Sequence, residues 1–180
     1  VERAGDLKDH WIKIEDERLD RYEQMFQWSP AFERLLEPAD IMPGQTVGDL
    51  GCGTGALSAR LAPFAGRTIG VDRSEAMLGT ANARLEDHEN AELRCGELES
   101  LPVADNELDL AILALVLHYV VDPRAVLAEV RRTLAPGGRI LVLDMRRHDR
   151  GSGFSDAMGH VWPGFELERI GAWLADARFR

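Results

Sequence analysis

Three glycines at Gly51, Gly53 and Gly55 stand between an apolar run and a segment of helical spacing, in "VGDLGCGTGALSARLA" (47–62). A backbone so free of Cβ atoms admits close approach of a ligand, and a helix that starts just beyond offers N–H groups to a negative charge. Asp72 ends the next apolar run, where a carboxylate accepts hydrogen bonds from a sugar diol. His118 in "VLHYV" and His160 in "GHVWPGF" are candidate proton acceptors, and Tyr22 is an aromatic in the charged stretch that opens the chain. Each also has a plainer role. The glycines make a tight turn, the histidines and Tyr119 pack at a pocket edge or wall, and Tyr22 is a core contact.

The elements that would position these residues follow from the pattern. "TVGDL" (46–50), "RTIGVD" (67–72), "AELRC" (91–95), "ELDLAILAL" (107–115) and "RILVLDM" (139–145) read as strands, several of them apolar enough to be buried on both faces. Helices are expected over 55–64, over 74–87 with Ser74 as N-cap, over 122–134 with Asp122 as N-cap and Pro123 at the first helical position, and over 164–179. Charged residues 7–28 read as an amphipathic helix, followed by a short one capped by Ser29-Pro30. Strands alternating with helices predict a doubly wound, mostly parallel Rossmann-like α/β sheet with helices on both faces. Residues 1–42 form a helical cap on a single domain, and 43–180 the α/β core.

Composition narrows the partners. The chain has 180 residues and a net charge of -10, which disfavours nucleic acid and anionic membranes. No run approaches the roughly 20 apolar residues of a membrane span. The charged start, "VERAGDLKDHW", is no secretory signal. Two cysteines, Cys52 and Cys95, imply neither a disulfide framework nor a metal site, and a cytoplasmic protein is expected. Lys8 and Lys13 are the only lysines, a mark of genome composition.

The segments taken together resemble class I S-adenosylmethionine-dependent methyltransferases over most of 20–179. "DLGCGTG" (49–55) is similar to that family's first motif, "GVDRSEAMLGTA" (70–81) to its second, "CGELESLPVADNELDLAI" (95–112) to its third, and 114–144 to its fourth strand, exit loop, helix and fifth strand. The resemblance implies that Asp72 holds the ribose, that Arg73 and Met77 lie against the adenine, and that Gly96, Glu97 and Leu98 border it. Glu97 stands where the family usually has Asp. The loop of Gly51, Gly53 and Gly55 with the helix start would take the carboxylate of S-adenosylmethionine, and Asp49 with carbonyls near Ala114 its ammonium. His118 falls near the transferred methyl, and His160 lies over the acceptor pocket in a segment like those of small-molecule methyltransferases, including domains of bacterial winged-helix repressors.

The reaction so implied is in-line methyl transfer to a small molecule, driven by proximity, with a histidine base where the acceptor needs one. A nicotinamide-dependent oxidoreductase is the alternative, since Gly51-x-Gly53-x-x-Ala56 also fits a dinucleotide fingerprint. A non-enzymatic S-adenosylmethionine sensor is a third reading. "ALVLHYV" lacks the Asn-Pro-Pro-Tyr type of motif for nucleic-acid amino groups, and two cysteines are too few for arsenite. Asp144, Asp149 and Asp156 read as solvated loop acids, with no metal site among them. The family's sheet usually ends in an antiparallel strand pair, which is missing after Phe179, so the natural chain is expected to continue. A homodimer is also compatible.

Overall fold

The computed structural model describes residues 37–148 and 159–180. The helices expected over 7–28 and after Ser29, together with Tyr22, Asp149 and Asp156, lie outside the described residues.

Five strands form one wholly parallel sheet: β1 (Thr46–Leu50), β2 (Arg67–Asp72), β3 (Ala91–Cys95), β4 (Leu108–Ala114) and β5 (Leu134–Leu143), in the order β3-β2-β1-β4-β5. The order reverses between β1 and β4, so the loops leaving these two strands diverge and open a crevice beyond the carboxyl edge of the sheet. Among the described residues three α-helices connect strands, α1 (Ala56–Leu61), α2 (Glu75–Arg84) and α3 (Pro123–Thr133), and a fourth, α4 (Leu167–Asp176), follows β5. The doubly wound α/β expectation is met.

Alternation along each central strand sends side chains to two cores. On one face Val47, Leu110 and Ile112 pack with Leu57 and Leu61 of α1. On the other, Leu50, Ala111 and Leu113 meet Val126, Leu127 and Val130 of α3 and Trp173 of α4. Val126, Leu127 and Val130 make one stripe of α3, all fully buried, while its arginines point outward. Truncating Leu127 to alanine should cost about 2–5 kcal/mol.

The helix starts follow their caps. The Ser74 hydroxyl accepts from the Met77 N–H, and the Asp122 carboxylate accepts from the N–H groups of Arg124 and Ala125. Several boundaries differ from expectation. α1 ends at Leu61, where Phe64 and Ala65 turn back onto the Leu61 carbonyl. β5 begins at Leu134, before the Pro136-Gly137-Gly138 turn, because Leu134 pairs with Leu108 ahead of a register shift and regular pairing resumes at Arg139. That turn is a bulge inside the strand. Among the described residues no helix is long and apolar enough to cross a membrane.

Candidate functional site

Above the β1/β4 switch point lies an open cleft. One wall is the β1–α1 loop. Gly51 has φ +83° and donates to the Val71 carbonyl at 2.8 Å. A Cβ placed there would meet Val116 Cγ2 at 2.4 Å. Only glycine fits that approach. Gly53, at φ +54°, faces open space where a Cβ would intrude. Gly55, at φ +74°, is different. Its missing Cβ lets α1 pack on Ala81 of α2, and it does not line the cleft. The role expected for it at the ligand is therefore a helix-packing role. Arg84 of α2 braces the loop by donating to the carbonyl and hydroxyl of Thr54, each at 2.9 Å.

Asp72, at the end of β2, is the acid of the cleft. Its Oδ2 accepts from the Gly53 N–H at 2.8 Å and its Oδ1 from the Ser74 N–H at 2.9 Å. Burial raises its pKa above the ordinary carboxylate value, against the lowering effect of these two backbone donors. Each oxygen is fixed in place and retains acceptor capacity toward the cleft. Met77 from α2 is buried in the same wall. Arg73 and Glu97 face each other across the rim at 3.9 Å, beside Gly96 and Leu98.

Asp49 does not line the cleft. Its carboxylate, 2% exposed, lies beneath the loop and accepts from the Ser58 hydroxyl at 2.6 Å, with the Ser58 backbone also bonded to it. The start of α1, expected to receive a ligand's anion, is thus met by the chain's own carboxylate. Desolvation lifts this acid to about 6, with the nearby Asp72 adding to the rise. Ala114, the last residue of β4, also stands behind the wall. Its successor Leu115 lines the cleft in a left-handed conformation, φ +56°, with its N–H bonded to the Leu143 carbonyl. Val116, Tyr119, Val120 and Val121 complete that side.

Behind Tyr119 is a ring cluster. His118 is 1% exposed, and its ring centroid lies 4.1 Å from that of Tyr119 and 4.6 Å from that of His160. The acid at the end of β5, Asp144, reaches His118 Nδ1 at 2.7 Å. Its other oxygen accepts from the Leu117 N–H at 2.9 Å. The Asp144 side chain is 5% exposed, not the solvated loop acid expected from sequence. His160 is held down to about 4, first by burial and then by His118 and His148, so its ring is neutral at pH 7. The His118 carbonyl accepts from the N–H groups of Val161 and Trp162, which pins the 160–162 segment onto this cluster. Among the described residues no group of side chains could hold a metal ion.

The cleft therefore gathers Gly51, Gly53, Asp72, Arg73, Met77, Glu97 and Leu98, and sets His118 and His160 one layer behind it. Sequence reasoning missed Ser74, Glu99, Leu115, Val116, Val120 and Val121 as lining residues, and Asp144 as the partner of His118. The strand read over 107–115 took in Leu115, and the apolar letters of the loop beyond it carried no signal of a wall.

The family match decides the assignment: residues 48–142 match the family described as Methyltransferase domain. The chain belongs to this methyltransferase family. It is 33% identical over 155 residues to a ubiquinone/menaquinone biosynthesis C-methyltransferase of Acidiphilium cryptum, covering 84% of this chain and 60% of that protein. Among solved structures, a Haloferax volcanii protein in complex with the Trm112 methyltransferase activator superposes with TM-score 0.80 at 25% identity, over 94% of this chain and 74% of that one. A Haemonchus contortus phosphoethanolamine N-methyltransferase, solved with S-adenosylhomocysteine, gives TM-score 0.81 at 20% identity, over 96% of this chain and 44% of that one. The chain spans between 29% and 60% of the length of the curated relatives it matches.

Proposed function

We propose that this methyltransferase-family chain binds S-adenosylmethionine in the cleft and transfers its methyl to a small-molecule acceptor. The observation that carries the reading is Asp72, whose two oxygens are set by the Gly53 and Ser74 N–H groups at the edge of a wall free of Cβ atoms. A ribose diol is the natural guest of such a carboxylate. Met77 and Leu98 offer apolar surface to an adenine, and Arg73 and Glu97 close that end with polar groups. Gly53 leaves room for a ligand backbone next to the loop.

S-adenosylmethionine, when bound, supplies a methyl group already activated by its sulfonium charge. The chain's own residues have the remaining work of holding, orienting and excluding water. Tyr119, Val120 and Val121 give the far side of the cleft an apolar wall that keeps water from the reacting end. His118 and His160, in the ring cluster behind that wall, are the groups for proton handling. Tyr22 is proposed as a cover from the N-terminal cap, within a single domain.

The nicotinamide alternative is disfavoured by Asp49. A dinucleotide needs the helix start for its pyrophosphate, and here that start already carries a carboxylate. The acidic surface supports a metabolite acceptor over nucleic acid, and a cytoplasmic, bacterial setting fits the composition. Calorimetry with S-adenosylhomocysteine and with NAD tests the reading. Binding of the first alone is expected, and binding of NAD alone overturns it. A sensor without activity would bind S-adenosylhomocysteine and release none from S-adenosylmethionine with any acceptor offered.

A further inference from the structure

The wall of the cleft beyond β4 crosses between two fixed elements. The 3₁₀ turn Leu117–Tyr119 closes with the Val120 N–H on the Leu117 carbonyl, and α3 begins at the Asp122 cap. Val120 between them is extended, at φ -86° and ψ 148°, and lines the cleft with Tyr119 and Val121. Its carbonyl accepts from the indole Nε1–H of Trp162 at 2.9 Å, 42 residues on in the chain. Trp162 is itself held from several sides. Its backbone N–H and that of Val161 both donate to the His118 carbonyl, at 3.1 and 2.9 Å. Its ring centroid lies 5.8 Å from that of Phe165 and 5.7 Å from that of Trp173 in α4. The residues after it are laced to the chain beyond β5. The Phe165 N–H donates to the Met145 carbonyl, and the N–H groups of Arg147 and His148 to the carbonyls of Phe165 and Pro163. Gly164 permits this approach: at φ +83° a Cβ there would meet the Arg146 carbonyl oxygen at 2.5 Å.

The packing and the hydrogen bond are separate contributions of Trp162. A ring between Phe165 and Trp173 needs no polar atom, and phenylalanine would fill much of that place. The indole N–H is the single polar group of the side chain, and it is aimed at the wall. We propose that Trp162 is a positioning residue for the cleft: bonded to the Val120 carbonyl from behind, it holds the Tyr119–Val121 wall at the spacing the bound cofactor requires. The identity of that guest rests on the methyl-transfer reading. Without the tether the Val120 carbonyl would turn to water, and the 119–121 stretch would spend part of its time away from the position that fits the guest. Only the remaining fraction is competent to bind, so affinity falls by that fraction. Linkage makes the effect reciprocal, and a bound guest strengthens the bond between Trp162 and Val120 by the same factor.

The test is calorimetry with S-adenosylhomocysteine on the full chain carrying Trp162→Phe or, as a control in the same aromatic cluster, Trp173→Phe. Loss of the bond that fixes the wall should lower affinity about fivefold in Trp162→Phe. Trp173→Phe alters the same packing and leaves the tether in place, so its affinity should stay within about twofold of wild type. Equal affinity in Trp162→Phe and wild type, or an equal loss in both variants, overturns the proposal. In wild-type protein the Nε1–H NMR signal of Trp162, assigned by its proximity to Val120, should move in step with binding as S-adenosylhomocysteine is added. A signal that stays still while the ligand binds overturns the proposal, and this readout decides the matter if Trp162→Phe fails to fold. Wild-type protein that binds no S-adenosylhomocysteine removes the methyl-transfer reading, and the role of Trp162 falls with it. Binding that ignores the tether removes the role of Trp162 alone.

Discussion

Ser58 donates its hydroxyl to Asp49 Oδ2 at 2.6 Å, beneath the glycine loop and out of contact with solvent. The bond ties the end of β1 to the first turn of α1, and its acceptor is an acid lifted to about 6. The folded chain therefore holds a proton on Asp49 at pH values where the unfolded chain has released it. Stability from this group falls as pH rises from about 4 to about 6. His160 works the other way. Its folded value of about 4 lies below the ordinary 6.5, so the unfolded chain takes up the proton first and stability rises with pH across the same span.

The two slopes oppose each other at roughly 1.4 kcal/mol per pH unit for each group. Urea denaturation of the wild type should change little on this account between pH 4.5 and 6. Asp49→Asn should gain stability across that interval by about 2 kcal/mol, and His160→Gln should lose a similar amount. Parallel curves for all three proteins would show that neither group is shifted as described.

Asp72→Ala removes the acceptor from the Gly53 and Ser74 N–H groups and the proposed partner of the ribose. Hydrogen bonds to a charged group are worth about 1.5–3 kcal/mol, so affinity for S-adenosylhomocysteine should fall at least tenfold by calorimetry. Unchanged affinity would place the ligand elsewhere.

Gly51 and Gly53 should separate fold from binding. Gly51→Ala drives a Cβ into Val116 at a positive φ and should destabilise by about 2–4 kcal/mol in urea. Gly53→Ala meets no protein atom, so its stability cost should be about 1–2 kcal/mol, from the left-handed backbone alone. Its larger effect should be on S-adenosylhomocysteine binding, because the methyl enters the cleft.

Glu107 anchors the amino end of the sheet. Its carboxylate accepts from Arg94 at 2.8 and 3.0 Å, from Arg67, and from the Ala104 N–H, and these donors hold it down to about 2. The stability it contributes is complete above its ordinary value of 4.5 and is lost as pH falls toward 2. Glu107→Gln should cost about 2 kcal/mol at pH 7, after allowance for its partial exposure, and should flatten the acid limb of the stability curve. An acid limb unchanged in the variant would assign the loss to other carboxylates.

Strands β1, β2 and β3 and the caps at Ser74 and Asp122 were legible in sequence, because short β-type runs set between turn and helix signals, and a helix start with its own side-chain acceptor, can be read from neighbouring residues. Both are short-range signals. What escaped is long-range. Asp144 looks like any acid after a strand until β4 brings Leu117 and His118 against it, 27 and 26 residues back in the chain. The bulge in β5 depends on Leu134 finding Leu108 across the sheet. Leu115 turns left-handed although nothing in its letters favours that backbone. The cleft motifs were found because glycines and a strand-end acid are distinctive, whereas the wall of Leu115, Val116, Val120 and Val121 is built from the commonest core residues.

The N–H groups of Gly51, Cys52, Gly53 and Gly55 are all bonded within the chain, to Val71, Val71, Asp72 and Cys52 in turn. A guest arriving at this loop finds a finished mould. Little ordering entropy remains for it to supply, and capture should proceed at the pace of diffusion and orientation, without waiting for the cradle to assemble.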